Sequence, residues 1–294
     1  MPGDKPTILV QLDTDPQPSV FDAVVAVDAG VDHLFRHGQV RPEIVRDLVY
    51  GALFTRGAAD LHRTAVFIGG SDVAAGEAVL ASVRATFFAG FRVSVLFDAN
   101  GCNTTAAAAA LAVVSAVESK GGTFAGTPVA VLGATGPVGQ RVARLLVRLG
   151  GKVSVGSRQL ERAAATAEQL AALTGCAVTA FASSEPTALR AELQGKAVVV
   201  AAGAAGVTLL RADMRAALPD LKVVVDLNAV PPLGIEGIAA TDKGTDREGV
   251  LSFGAIGIGG TKMKIHKMAI QELFTANDKV LDAEQVLEIG RNLA

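Results

Sequence analysis

The chain has little from which to build a metal centre, a nucleophilic triad or a membrane anchor. Cysteine occurs twice, at Cys102 and Cys176, and neither has a neighbour at metal-ligand spacing. The four histidines are not paired in triad or metal spacing, and no tight carboxylate pair of the glycosidase type stands out. No metal is expected. Lys and Arg number 27 against 29 Asp and Glu, a formal charge of −2, so nothing in the total pulls the chain toward nucleic acid or an anionic membrane. The most apolar run, Thr104 to Val117, is 14 residues long. That is short of the ~20 needed to span a bilayer and reads as a buried helix. With no leader pattern in view and thiols that read as reduced, a soluble cytoplasmic protein is expected. There is no internal repeat and no low-complexity tail.

What is there is ample core material: 294 residues, 50% hydrophobic and 19% charged. At about 100–200 residues per domain, two domains fit. Short β-branched runs at Ile8 to Leu12, Thr64 to Gly70 and Arg92 to Asp98 read as buried strands. Helical patterns lie between and after them, at Glu43 to Phe54, Ala74 to Phe88 and Thr104 to Lys120, the last stopping at Gly121-Gly122. A second alternating set follows the connector GTFAGTP: VAVLG, a helix from Val138 to Leu149, KVSVGSR, a helix from Leu160 to Leu173, AVTAF, Ala197 to Gly203 and Lys222 to Asn228. Alternation throughout predicts an α/β protein with parallel sheets. The expected division is residues 1–125 as an N-terminal parallel α/β domain and 126–294 as a Rossmann-type dinucleotide-binding domain. A cleft is expected between them, with the C-terminal helices from about 265 packing back on the first domain.

The centre of the chain reads VAVLGATGPVGQRVARLLVRLG, with glycines at 133, 136 and 139. A strand precedes the turn and a helix follows it. Glycine lets the backbone approach a pyrophosphate, and the exposed N–H groups and positive helix end stabilise its charge. Gly133, Thr135, Gly136, Pro137, Val138 and Gly139 are therefore the expected pyrophosphate loop; a tight turn with no ligand is the competing reading. At the end of the next strand, where NAD enzymes carry an acidic residue, Ser157 and Arg158 stand instead. A hydroxyl and a guanidinium suit a 2′-phosphate, which predicts NADP with NAD as an alternative, against a solvated loop arginine. Ala202, Gly203 and Asn228 end later strands and are expected on the nicotinamide side, with a plain turn competing at Asn228.

In the first half, Asp13, Asp15, Ser19 and Asp22 follow the first strand, where ligands of open α/β sheets lie. Each has two readings: substrate contact, or turn formation and helix capping, the latter favoured at Asp15. Asp98, Asn100, Asn103 and Thr104 occupy the corresponding strand end and helix start after the run Arg92 to Asp98, where Asn and Thr most commonly cap the helix that follows.

Five stretches are less generic: DTDPQPSVFD, FDANGCNTTAAA, GATGPVG, NAVPPLGIEGI and FGAIGIGGTKMKIH. In this order, over essentially the whole chain, they resemble the NAD(P)-dependent methylenetetrahydromethanopterin dehydrogenases of one-carbon-oxidising bacteria. The resemblance implies hydride transfer from the methylene carbon of methylenetetrahydromethanopterin to NADP, giving the methenyl cation in formaldehyde oxidation. It also implies a homo-oligomer, a trimer, without metal. It tips Asp98, Asn100, Asn103 and Thr104 toward substrate contact and makes Lys262 the expected active-site lysine, in preference to Lys264. Lys262, Asp22 and Asp98 become the catalytic candidates, with Asp13 and Ser19 as further substrate contacts. His266 reads as packing or a hydrogen bond. The chemistry fits a chain poor in acid–base groups: the two nitrogens flanking the methylene carbon stabilise the cation, so positioning and electrostatics are needed rather than a strong base. Two rivals remain: a methylenetetrahydrofolate dehydrogenase, and a non-catalytic NADP-binding regulatory module.

Overall fold

The computed structural model describes residues 5–293. The chain forms two compact units, one of residues 1–104 with 263–294 and one of residues 105–262. The first unit opens with β1 (Ile8–Asp13), α1 (Val20–Asp28), β2 (His33–His37), α2 (Pro42–Phe54), β3 (Thr64–Gly69), α3 (Val73–Thr86), β4 (Ser94–Phe97) and the start of α4 (Cys102–Ser119). Its sheet, in the order β4-β3-β1-β2, is parallel throughout. Leu9, Leu12, Phe67, Ile68, Val95 and Leu96 are buried in it, each contributing about 1.5–3 kcal/mol of apolar burial. Strand β2 has no apolar run (its sequence is HLFRH), because it is an edge strand with three of its five side chains exposed.

The second unit continues with β5 (Pro128–Leu132), α5 (Pro137–Arg148), β6 (Lys152–Ser157), α6 (Leu160–Thr174), β7 (Thr179–Ala182), α7 (Pro186–Leu193), β8 (Val198–Ala201), α8 (Ala212–Ala216), β9 (Val223–Asp226), β10 (Lys243–Arg247), β11 (Val250–Phe253) and α9 (Ala255–Glu272). The strand order is β10-β11-β9-β8-β5-β6-β7, parallel except for the antiparallel β10–β11 pair at one edge. Helices α2, α5 and α7 open on Pro42, Pro137 and Pro186, where the missing N–H costs nothing. After α9 the chain returns to the first unit, where β12 (Val280–Leu281) joins the free side of β4 and α10 (Ala283–Arg291) follows.

The expected boundary near residue 125 thus lies about 20 residues beyond the division found, inside α4, and the second division falls inside α9 rather than after a linker. Both divisions are invisible to composition because a continuous helix crosses each. Helix α4 with its preceding turn, Ala99–Ser119, is long and apolar enough to cross a membrane, more so than the 14-residue run suggests. Ala106 to Ala110, Val113, Ala116 and Val117 are nonetheless buried, as in a core helix.

Candidate active site

In the second unit, the strand order reads 3-2-1-4-5 when numbered from β5, so β5 and β8 flank the point where the winding of the sheet reverses. Ligands of such sheets bind beyond the carboxyl ends of the strands at that point. The glycine loop is placed there, between β5 and α5. Gly133 has φ +69°, and a Cβ on it would lie 2.6 Å from Gly203 Cα at the end of β8. On Gly139 a Cβ would lie 2.8 Å from Ala134 Cα. Both positions are dictated by the fold itself.

Gly136 differs. Its φ of −79° is open to any residue, and a Cβ there would meet nothing closer than 3.7 Å. The protein alone does not require glycine at this place. It caps α5 without a side-chain hydrogen bond, so the first N–H groups of the helix point outward unsatisfied by any cap. An open cradle over an uncapped helix start fits a pyrophosphate. Ser157 ends β6, next to β5, and Arg158 follows it. Ser157 is buried, and its Oγ accepts a long 3.4 Å bond from Gln159 N–H; Arg158 is exposed. Thr135 accepts at its carbonyl from Gln140 Nε2, at 2.9 Å, which fixes the loop on α5. The dinucleotide residues expected at 133–139, 157–158 and 202–203 therefore come together on three adjacent strand ends.

Asn228 does not offer its amide to a ligand. Its Nδ2 donates to Val230 O (3.0 Å) and Pro232 O (3.1 Å), while its Oδ1 accepts from Val230 N–H at 2.9 Å. It builds the turn after β9, which is the competing sequence reading. Asp226, a residue the sequence did not single out as a site, organises the same turn. Fully buried, it accepts from Asn228 N–H at 3.0 Å and Ile235 N–H at 2.9 Å. Burial pushes its carboxyl above the ordinary carboxylate value, while the backbone N–H groups of Asn228, Ile235 and Gly234 pull it back. The folded state thus binds this proton more readily than the unfolded chain, whose Asp titrates at about 3.9. The resulting stability is full below that value and is lost as pH rises through the raised folded value. Urea melts from about pH 4 to about pH 7 should show this decline in the wild type and not in Asp226→Asn. A difference between the two proteins that stays constant over the range would remove Asp226 as its source.

In the first unit the expected residues gather at the carboxyl ends of β1, β3 and β4, but most are already occupied. Asp13 is buried and accepts from Gln11 Nε2 (3.1 Å), Asp15 N–H (2.9 Å) and Ser19 N–H (3.0 Å). Asp15 holds Ser71 through its N–H at 3.0 Å and its hydroxyl at 2.8 Å. Buried Asp98 accepts from Asn103 N–H (2.8 Å), Thr104 N–H (3.0 Å) and Thr104 Oγ1 (2.6 Å). Asn103, also buried, donates from Nδ2 to Phe97 O at 2.6 Å and to Asp282 Oδ1 at 2.9 Å. Asp13, Asp98, Asn103 and Thr104 accordingly shape the loops, with their side chains engaged within the protein. Ser19 caps α1 by accepting from Asp22 N–H at 3.2 Å. Asn100 is exposed at φ +53°. Asp22 is half-buried in the first turn of α1, where burial pushes its carboxyl above the ordinary value and the Ser19 side chain hydrogen-bonds it.

The glycine-rich stretch before Lys262 is helical. Gly257 to Gly260 lie within α9, so Lys262 and Lys264 diverge by about 200°. Lys262 is half-buried and Lys264 exposed. Among the described residues, no group of three or more His, Cys, Asp or Glu could hold a metal ion.

A Rossmann-type unit with its glycine loop at the reversal point and a second parallel α/β unit define a two-unit α/β fold. The quinate dehydrogenase of Corynebacterium glutamicum, solved in complex with NAD, shares this fold with a TM-score of 0.53 over 98% of this chain and 99% of that one, at 15% identity. Residues 20–100 match the family described as methylene-tetrahydromethanopterin dehydrogenase, N-terminal. The chain is 42% identical over 287 residues to the bifunctional protein MdtA of Methylorubrum extorquens, covering 98% of this chain and 99% of that protein. It is 30% identical over 282 residues to the NAD(P)-dependent methylenetetrahydromethanopterin dehydrogenase of the same organism, covering 94% and 95%. The chain belongs to the methylenetetrahydromethanopterin dehydrogenase family. It is an oxidoreductase that uses a nicotinamide cofactor, which sets aside the non-catalytic module.

Proposed function

We propose that this enzyme oxidises 5,10-methylenetetrahydromethanopterin with NADP to the methenyl cation, as a step in the oxidation of formaldehyde-derived one-carbon units. The observation that carries the reading is Gly136: a glycine the fold does not need, over an uncapped helix start, in a chain alike from end to end to a dehydrogenase of that name. Bound NADP supplies the hydride acceptor. Around it, Gly133 to Gly139 would hold the pyrophosphate, Ser157 and Arg158 the 2′-phosphate, and the small Ala202 and Gly203 would let the nicotinamide half approach. In the first unit, Asp22 would accept from the pterin's amino and ring N–H groups, with Ser19 and Asn100 beside it in the loops that Asp13 and Asp98 shape. Lys262 would donate to a pterin oxygen. The enzyme would work in the cytoplasm as a homo-oligomer, a trimer in our reading, without metal.

The name of the relative at 42% identity includes the word bifunctional, which supports a second activity here as well. Methylenetetrahydrofolate is the second carrier we propose, because its reacting ring system is shared. The test follows absorbance of reduced nicotinamide with each carrier, using NADP and then NAD. Turnover with the methanopterin carrier and NADP is the expected result. Turnover with both carriers would make the enzyme bifunctional, and silence with every pair would overturn the reading.

Arg158→Ala should raise the KM for NADP about 10- to 100-fold, the loss of a charge-assisted bidentate contact, while leaving the KM for NAD within about twofold. Equal effects on both cofactors would remove Arg158 from the 2′-phosphate.

A further inference from the structure

The segment after β9 is tied down along its whole length. Asp226, fully buried at the end of the strand, accepts from Asn228 N–H at 3.0 Å and Ile235 N–H at 2.9 Å, which closes residues 226–235 into one loop. Inside it, Asn228 holds both backbone polar groups of Val230. Its Oδ1 accepts from Val230 N–H at 2.9 Å, and its Nδ2 donates to Val230 O at 3.0 Å and to Pro232 O at 3.1 Å. The loop that follows β8 is fastened to this one. Leu209 and Leu210 donate their N–H groups to Gly234 O at 2.8 and 3.0 Å, and Thr208 Oγ1 donates to Leu233 O at 3.2 Å. Leu210 and Ile235 form a parallel bridge.

What this framework presents outward is apolar. Val230 is 53% exposed and Val207, in the neighbouring loop, 42%, and Pro231 and Pro232 are exposed as well. Fixing an apolar side chain in water gains nothing for the fold. It gains affinity for a ligand that packs there, because the ordering is complete before binding.

The position indicates which ligand. The glycine loop leads from β5 into α5, and Ser157 and Arg158 lie to one side of it, at the end of β6. A dinucleotide with its pyrophosphate on that loop and its adenosine half toward β6 sends the other half the opposite way. That path runs over β8 and β9, roughly 5 and 10 Å from β5. The loops adjoin in succession along it. A Cβ on Gly133 would lie 2.6 Å from Gly203 Cα, one on Gly203 2.7 Å from Leu209 Cδ1, and one on Gly206 3.9 Å from Pro231 O. A flat nicotinamide ring needs apolar cover on its face, which a valine backed by prolines supplies.

We propose that Val230 packs on the face of the nicotinamide ring of the bound cofactor, and that Asn228 is its positioning residue, gripping the Val230 backbone on both sides. The direction in which the nicotinamide half runs rests on the glycine-loop reading above; the bracing of Val230 rests on the hydrogen bonds of the second unit.

Binding decides this without turnover. Adenosine 2′,5′-bisphosphate carries the adenosine half of NADP and no nicotinamide. Val230→Ser changes an exposed side chain and should leave the urea melt unchanged. Its Kd for NADP should rise about fivefold, the loss of part of a valine's apolar burial, while the Kd for the bisphosphate stays within about 1.5-fold. Equal weakening of both ligands, or no weakening of NADP, overturns the proposal. Asn228→Asp removes the Nδ2 donors and keeps Oδ1, and should give the same split, about fivefold for NADP and none for the bisphosphate. Because Asn228 acts through Val230, the double variant should bind NADP within about twofold of Val230→Ser alone. Effects that multiply to about 25-fold would show two independent roles and overturn Asn228 as the positioning residue. Val230→Ser tests the ring contact even where Asn228→Asp fails to fold. Gly136→Val tests the underlying reading, since both ligands carry the 5′-phosphate and both should weaken. Unchanged binding of both would count against the glycine loop, and the Val230 comparison would still decide the nicotinamide contact.

Discussion

Lys262→Ala should lower kcat by about 10²- to 10³-fold while the Kd for NADP stays within about twofold. The reaction makes a cation, so a lysine cannot help by attracting the charge that develops. Its useful contribution is a directed, charge-assisted hydrogen bond to an oxygen of the substrate. Such a bond contributes about 1.5–3 kcal/mol. The remainder of the expected loss comes from a methylene carbon no longer held in line for transfer. Lys264 is the built-in control: two residues further along α9, it points about 200° away and is exposed, so Lys264→Ala should leave kcat within about twofold. Stopped-flow turnover and NADP titration by fluorescence make the comparison. Equal kcat values for the two variants would exclude Lys262 from the active site.

The glycine loop gives the second large effect, because its glycines serve different ends. Gly136→Val should fold with nearly unchanged stability, since the nearest atom to a Cβ there is 3.7 Å away, yet weaken dinucleotide binding at least about 100-fold, roughly 2.7 kcal/mol. Gly133→Ala should act on the fold instead. Its φ of +69° is unfavourable for alanine, and the new methyl would press on Gly203 Cα from 2.6 Å. Backbone strain and overpacking together should cost about 2–4 kcal/mol in a urea melt. The two readouts separate cleanly: affinity falls without stability at 136, and stability falls at 133. A Gly136→Val protein that binds NADP like the wild type would mean the cradle holds something else.

How much of this was legible beforehand depended on sequence distance. By itself the sequence determined the strand–turn–helix around Gly133 to Gly139, because propensity, glycine spacing and Pro137 at the first helical turn all act within a dozen residues. It likewise determined the buried strands around Val66, Val95, Val131, Val199 and Val224, where continuous apolar runs reflect a sheet covered on both faces. The edge strands β2 and β10 carried no such signal, and GIGG read as a turn because glycine's low helix propensity is outweighed in α9 by its packing.

Only the tertiary structure decided which polar residues have capacity left for a ligand. Asp13 and Asp98 at strand ends and Asp22 in the first turn of α1 are the same residue type, and no local pattern tells which of them is engaged. The difference comes from partners: Asp13 and Asp98 accept from the backbone and side chains of their own loops, whereas Asp22 is held by Ser19. Asn103 is engaged by Asp282 across 179 residues, a contact made only because β12 comes back to β4. Propensity acts along the chain, whereas hydrogen bonds and Coulomb forces act through space, and the availability of a carboxylate is set by the second.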